Sequence, residues 1–321
     1  MDAITSKIIV FENGSQDNCG AWIAGEYPKI AWHRSNTQTY GWGGNIWPEV
    51  DGPHTWEPYD YNAQGQANWA HEHIMTNHGA LGALYPDRTY GKEKKVAFLE
   101  GGGTTPWMGL ANHGLSDPEH LWWGGWSGRF SRVRERNVYS DKKQIKPDEM
   151  TYPDFFMYNS DSQTENWTDP VSNKEFNNYY VPVFRFRRAM WNDFRARMDW
   201  CVKEYKEANH NPVAAVNGDD SDNIIFMNIN PGATLSLNAS ASHDPDGDAM
   251  DFNWWVYKEA GTYTGTISIP NPTSQVTTFQ LPADADGKEI HVILEVKDKN
   301  SEISMYDYRR IVINVSSSSG L

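Results

Sequence analysis

Hydrophobic and polar positions alternate in two different ways along this chain. Up to about residue 211, short apolar runs are interleaved with acidic or glycine turns and with segments of helical period. KIIVF (7–11), KIAWH (29–33) and KVAFLE (95–100) read as buried-type strands. Between them, Asp17 caps a predicted helix carrying Ala21, Trp22 and Ile23, and 64–77 predicts a helix with Ala67, Ala70 and Ile74 on one face. A longer helix is predicted from about Trp191 to Glu207, with Trp191, Phe194, Met198, Cys201, Val202 and Tyr205 as its stripe. Strand, turn, helix, strand is the pattern of a parallel sheet covered by helices, in which ligands bind beyond the carboxyl ends of the strands.

Beyond ANHNPVAAVNGDDSDN the period becomes two. TLSLNAS (234–240), DFNWWVY (251–257), VTTFQL (276–281), EIHVILEVKD (289–298) and YRRIVINV (308–315) alternate apolar and polar positions and are separated by turns such as DPDGD. Five such runs predict a β-sandwich, with Trp254 placed like the buried tryptophan of immunoglobulin-like domains. The organisation expected is therefore an α/β domain over 1–211, a β-sandwich over 212–316 and a disordered tail over 317–321.

Composition sharpens this picture. The chain holds 15 tryptophans and 16 tyrosines within a hydrophobic fraction of only 39%, so much of its apolar content is aromatic, as in many carbohydrate-facing proteins. A formal charge of −14 argues against nucleic acid, whose phosphates need a basic surface. No apolar run approaches the roughly 20 residues of a membrane span. Cys19 and Cys201 are too few for a disulfide framework, and their spacing does not decide whether they pair. MDAITSKIIVF lacks the charged and long apolar regions of a signal peptide.

Aromatic residues gather in two places. The irregular stretch from Arg34 to Asn62 carries Trp42, Trp47 and Trp56, and SDPEHLWWGGWSGRF (116–130) carries Trp122, Trp123 and Trp126 among three glycines. Indole faces suit the C–H faces of sugars or the π-faces of bases, with His120, Asp117, Glu119 and Arg129 available for hydroxyls. The opposing reading folds the indoles inward as structural anchors. Among the carboxylates, Glu100 ends a predicted strand ahead of three glycines, where its side chain can reach a ligand. Asp193 has two open readings: with Asn192 it caps and stabilises a helix start, or it projects into a cleft as a ligand. His71 and His73, two apart on a helix, point to different faces and make a poor metal pair. The aspartates of HDPDGD suit a β-turn better than calcium, and Asp219, Asp220 and Asp222 read as a solvated connection.

KIIVFENGSQDNCGAWI, HGALGALYPD, NHGLSDPEHLWWGGWSGRF, WNDFRARMDW and NASASHDPDGDAMDFNWWVYKEAGTY together resemble a bacterial family of cellulose-binding proteins. In that family a nucleoside-hydrolase-like domain precedes an immunoglobulin-like one, and the resemblance extends over nearly the whole chain. Nucleoside hydrolases hold calcium and the attacking water on an early DxDxxxDD cluster, and no such cluster follows any early strand here. The resemblance thus implies the second half of the hydrolase-like domain plus the sandwich, with Met1 an internal or truncated start. It also implies roles. Asn192-Asp193 is similar to the late histidine-aspartate pair of nucleoside hydrolases, which makes Asp193 a calcium ligand and Asn192 a polar neighbour of the sugar. Glu100 is similar to a carboxylate that meets sugar hydroxyls, and Asp17 matches a turn the family writes with more acids. One aspartate cannot supply the six or so oxygens calcium wants. The expectation is a polysaccharide-associated protein, extracellular or periplasmic, with weak or absent catalysis. The alternative is a calcium-dependent hydrolase of N-glycosyl or glycosyl bonds acting through an oxocarbenium-like state on a nucleoside-like ligand or a glycan.

Overall fold

The computed structural model describes Ile4 and residues 7–13, 27, 30–35, 71–85, 89–90, 96–97, 108–111, 113–133, 136–137, 151–152, 155–158, 164–170, 173, 175–178 and 181–317. The chain divides into two compact units, one of residues 1–76, 84–110 and 118–187, the other of 77–83, 111–117 and 188–321.

The first unit is built on a mixed sheet. Strand β1 (Ile9–Asn13) lies parallel to β2 (Ala31–Ser35), in register from Ile9 opposite Ala31 to Asn13 opposite Ser35. Short ladders follow: β3 (Thr89–Tyr90) pairs antiparallel with β4 (Val96–Ala97). Strand β5 (Phe130–Val133) precedes a second short ladder, β6 (Arg136–Asn137) with β7 (Thr151–Tyr152). Strand β8 (Phe155–Tyr158) completes the sheet in the order β1-β2-β8-β5, parallel to β2 and antiparallel to β5. A hairpin of β9 (Glu165–Thr168) and β10 (Glu175–Asn178) leads into the helical turn Val181–Phe184. The expected parallel pairing holds between β1 and β2; β8, in a stretch where no strand is expected, adds a third parallel strand, and β5 reverses direction. Of KVAFLE, the described part, Val96–Ala97, is one arm of a two-residue ladder. The predicted helix over 64–77 is present from His71 to Met75 as a wide π-type turn, and Asn77, at a φ of 63°, takes the left-handed conformation beyond it.

The second unit carries two sheets over one core. Strand β11 (Ile225–Ile229) runs parallel to β16 (Tyr306–Val315), which is antiparallel to β15 (Lys288–Asp298), which in turn pairs with β13 (Met250–Val256). Strands β12 (Thr234–Asn238) and β14 (Val276–Gln280) form the second sheet. Leu235, Leu237, Phe279 and Leu281 from the small sheet meet Phe252, Trp254, Val292, Leu294 and Ile311 from the large one. Trp254 is buried at the centre, and its indole Nε1 donates to the Ser274 carbonyl at 2.8 Å, so the core closes by packing and one well-placed hydrogen bond. The second face of β15 and β16 is buried as well, at His291, Ile293, Tyr308 and Arg310. Part of its cover comes from residues 113–115: Arg310 donates from its backbone to the Gly114 carbonyl at 2.8 Å and from Nε to the Leu115 carbonyl at 2.7 Å. Gly114 has φ +63°, and a Cβ there would lie 2.0 Å from the Tyr308 carbonyl oxygen, so only glycine permits this approach.

Three expectations change in this unit. The long helix spans Arg187–Trp200, starting four residues and ending seven residues earlier than expected, and is followed by a separate 3-10 turn at Tyr205–Glu207. Cys201, Val202 and Tyr205 therefore leave the proposed stripe and are exposed, Cys201 as a free thiol. The connection at 212–223 is structural, with Ala214, Ala215 and Val216 buried and Asp219 paired with Arg309 at 3.2 Å. The sequence boundary at 211 also differs from the division of the units, since the Arg188–Trp200 segment groups with the sheets.

Candidate functional site

The tryptophan turn is made by three glycines and one tight helical turn. Leu121–Trp123 forms a 3-10 turn, closed by the Gly124 N–H donating to the Leu121 carbonyl at 3.4 Å. With three residues per turn, successive side chains leave in directions about 120° apart, so neighbouring indoles part company. Trp123 and Trp126 are buried, while Trp122 is 38% exposed. Gly124 and Gly128 take φ values of 78° and 90°, which swing the chain back so that Trp126 enters the core and Phe130 starts β5. His120 links the buried and exposed indoles: its ring stacks on Trp123 at 4.1 Å with the planes 9° apart and meets Trp122 edge-on at 5.0 Å. Two of the indoles are thus buried, as the anchor reading expects, and one reaches the surface.

Arg129 is turned inward, away from the ligand role expected for it. Its Nε is bonded to the Glu165 carboxylate, which is fully buried and also faces Arg185 Nη1 at 3.4 Å. Two guanidinium groups sharing one buried carboxylate make a structural anchor for the turn. Nothing in ENWT within its irregular surroundings marks Glu165 for this task in the sequence.

Asn192 and Asp193 sit in the second unit, inside the Arg187–Trp200 helix and not at its start. Capping is therefore excluded for both. The Asn192 amide donates to the Ser304 carbonyl at 2.6 Å. Asp193 is buried, and Arg197 one turn later engages both its oxygens, Nε at 2.7 Å and Nη2 at 3.3 Å. His113 belongs to the same neighbourhood: burial pushes its imidazole pKa down, the Asp193 charge opposes that, and Arg197 adds to the depression. Among the described residues no three His, Cys, Asp or Glu side chains converge on a common point. An aspartate whose oxygens already accept from a guanidinium, with no such group around it among the described residues, falls short there of the oxygen-rich shell calcium requires. Glu100, Asp17, Trp42 and Trp47 lie outside the described residues.

The aspartates of HDPDGD build their own loop. Asp244 accepts from the backbone N–H of Asp246 at 2.9 Å and of Asp248 at 3.0 Å, while Asp248 accepts from Asn300 at 2.9 Å. Asp246 accepts from the backbone and the ring of His210. No helix among the described residues is long and apolar enough to cross a membrane.

Two family models match this chain. Residues 1–130 match the nucleoside hydrolase-like domain of cellulose-binding Sde182, and residues 234–315 match the C-terminal domain of the cellulose-binding protein Sde0182. The chain carries both domain signatures of the cellulose-binding Sde0182 family. The first match ends at Phe130 and so includes the whole tryptophan turn of this Sde0182-like chain, while Asn192-Asp193 falls between the two matches. Among solved structures, the chain is similar to a nucleoside hydrolase-related hypothetical protein from Saccharophagus degradans that is associated with carbohydrate metabolism. The two are 33% identical with a TM-score of 0.73 over 98% of this chain, which spans 64% of the other's length. No curated protein matches.

Proposed function

We propose that this Sde0182-like chain binds plant-type polysaccharide through the surface indole of its tryptophan turn. Its hydrolase-like domain would serve as a carrier for that surface, with weak or absent catalysis of its own. The observation that carries the reading is the division of labour in the turn: Trp123 and Trp126 are buried, His120 stacks on Trp123, and Trp122 is left 38% exposed beside it. A planar apolar face held at the surface matches the C–H face of a pyranose ring, and because its backing is rigid it loses little freedom on binding. The second unit, two sheets over one core around Trp254, is read as an immunoglobulin-like sandwich. A place outside the cell, where polysaccharide is met, completes the reading.

The rival, calcium-dependent cleavage of an N-glycosyl or glycosyl bond, requires Asp193 to exchange Arg197 for a cation. It makes a separate prediction: calcium-dependent release of sugar from nucleosides or nitrophenyl glycosides by the purified chain. For the binding reading, soluble glucan and xylan oligosaccharides should shift the tryptophan emission of the wild-type chain. The shift should be smaller in Trp122→Ala. No change with any of these glycans contradicts the proposal.

A further inference from the structure

A second ring is presented in the second unit, at the border of a cleft lined by that unit's own residues. Tyr205 lies in the 3-10 turn after the long helix and is 68% exposed. One face of its ring stacks on His210 at 3.9 Å, and His210 in turn stacks on Trp200 at 5.5 Å, so Tyr205 ends a three-ring ladder. The ladder is fixed from several sides. Asp246 accepts from the His210 backbone N–H at 2.7 Å and sits 3.1 Å from the ring Nδ1. Trp200 donates from Nε1 to the Asn209 carbonyl at 2.7 Å, and the Arg197 guanidinium lies 5.2 Å from the Trp200 ring. An exposed tyrosine ordinarily samples several rotamers, and one pinned in this way has lost that freedom before any ligand arrives.

Tyr205 borders a cleft of about 730 Å³, within the range of roughly 300–1,000 Å³ usual for small-ligand sites. The walls alternate donors and acceptors: Lys203, Lys206, Asn300 and Ser301 beside Asp199, Glu207 and Glu302. Lys203 already bridges the two sides, 3.2 Å from Asp199 and 3.7 Å from Glu302. Each sugar hydroxyl both donates and accepts, so paired ammonium or amide and carboxylate groups satisfy it fully. The cleft's carboxylates outnumber its two ammonium groups, five to two, which disfavours phosphates and uronates. The lining is too polar for an apolar guest. The acidic surplus also suits a polyamine, but such a chain has no flat face to lay on Tyr205, so the ring ladder favours a neutral, polyhydroxylated ligand with one flat face.

We infer that this cleft is a second saccharide site, taking a neutral oligosaccharide with one pyranose ring stacked on Tyr205. The inference rests on the polysaccharide reading above for its ligand class but on different residues for its geometry. Calorimetry of the full chain with cellohexaose tests it. Wild type should show two sites, Tyr205→Ala one, Trp122→Ala one and the double variant none, while Tyr205→Phe, which keeps the ring, should stay within about twofold of wild type. Circular dichroism should be unchanged, because Tyr205 is at the surface. Tyr205→Ala retaining both sites overturns the inference and leaves the Trp122 reading standing. Trp122→Ala retaining both sites, with Tyr205→Ala losing one, removes the Trp122 reading and leaves the cleft. Absence of any binding by wild type, or displacement of cellohexaose by spermidine and not by xylohexaose, also overturns the cleft as a saccharide site.

Discussion

The tryptophan turn of the first unit and the ring ladder of the second solve the same problem differently. In the turn, His120 lies flat on buried Trp123 and supports Trp122 only by its edge. In the ladder, His210 is sandwiched between Trp200 and Tyr205, with Asp246 holding its backbone and ring. Each places a histidine between a shielded indole and an exposed ring. Asp193, which the resemblance casts as a calcium ligand, is spent on Arg197, and Glu165, which the sequence does not single out, on Arg129 and Arg185. At these places Trp122 and Tyr205 reach the surface, while the carboxylates of Asp193 and Glu165 are buried.

That contrast can be broken most forcefully within the turn itself. Trp126→Ala should lose about 3–5 kcal/mol of stability in urea unfolding, as expected for a buried aromatic removed from a core, whereas Trp122→Ala, which gives up only partial burial, should cost less than about half as much. Equal costs for both would abolish the distinction between anchor and platform. Glu165→Ala should cost about 3–5 kcal/mol, since it strands two guanidinium groups without their shared partner; a melting temperature within error of wild type would show that the anchor is ornamental.

A smaller effect is expected from acid and base. Burial raises the Asp307 carboxyl to about 7, against the pull of hydrogen bonds from the Ala214 and Tyr308 backbone. Between its unfolded value near 3.9 and about 7 the folded chain holds a proton that the unfolded chain has released, so stability falls as pH rises through that window, by up to about 4 kcal/mol. Asp307→Asn keeps an acceptor for the Ala214 N–H and should flatten this part of the profile of urea midpoints. An unchanged slope would assign the effect elsewhere. Smallest of all, Asp193→Asn should cost no more than about 0.5 kcal/mol for its helical pair with half-exposed Arg197. Millimolar calcium should leave the wild-type melting temperature in place, where a bound ion at a hundred times its Kd would add about 2.7 kcal/mol.

The sheets of the second unit could be read directly from the sequence because strands β12 to β16 follow one another along the chain and two of them alternate strictly, buried at Leu235 and Leu237, and at Thr277 and Phe279. β11 escaped that reading: IIFMN runs four apolar residues together, and its partner, β16, is some eighty residues away. The long helix is legible in its stripe and not in its bounds: Trp191 and Met198 are buried as expected, Ala189, Asp193 and Ala196 bury beside them with little hydrophobic signal, and the apolar residues after Trp200 belong to a turn. The tryptophan turn announced itself by composition, but which indole faces out depends on a 3-10 turn and on positive φ at Gly124 and Gly128, and period alone specifies neither. The ladder was invisible because His210 and Asp246 meet only across the fold.

Depletion isotherms on insoluble cellulose, comparing the full chain with Trp122→Ala and Asp193→Asn, address the matter most directly. The exposed indole should account for about a tenfold loss of affinity, about 1.4 kcal/mol, while Asp193→Asn binds like wild type. Loss of binding in Asp193→Asn with Trp122→Ala unaffected would return function to the carboxylate and contradict this account.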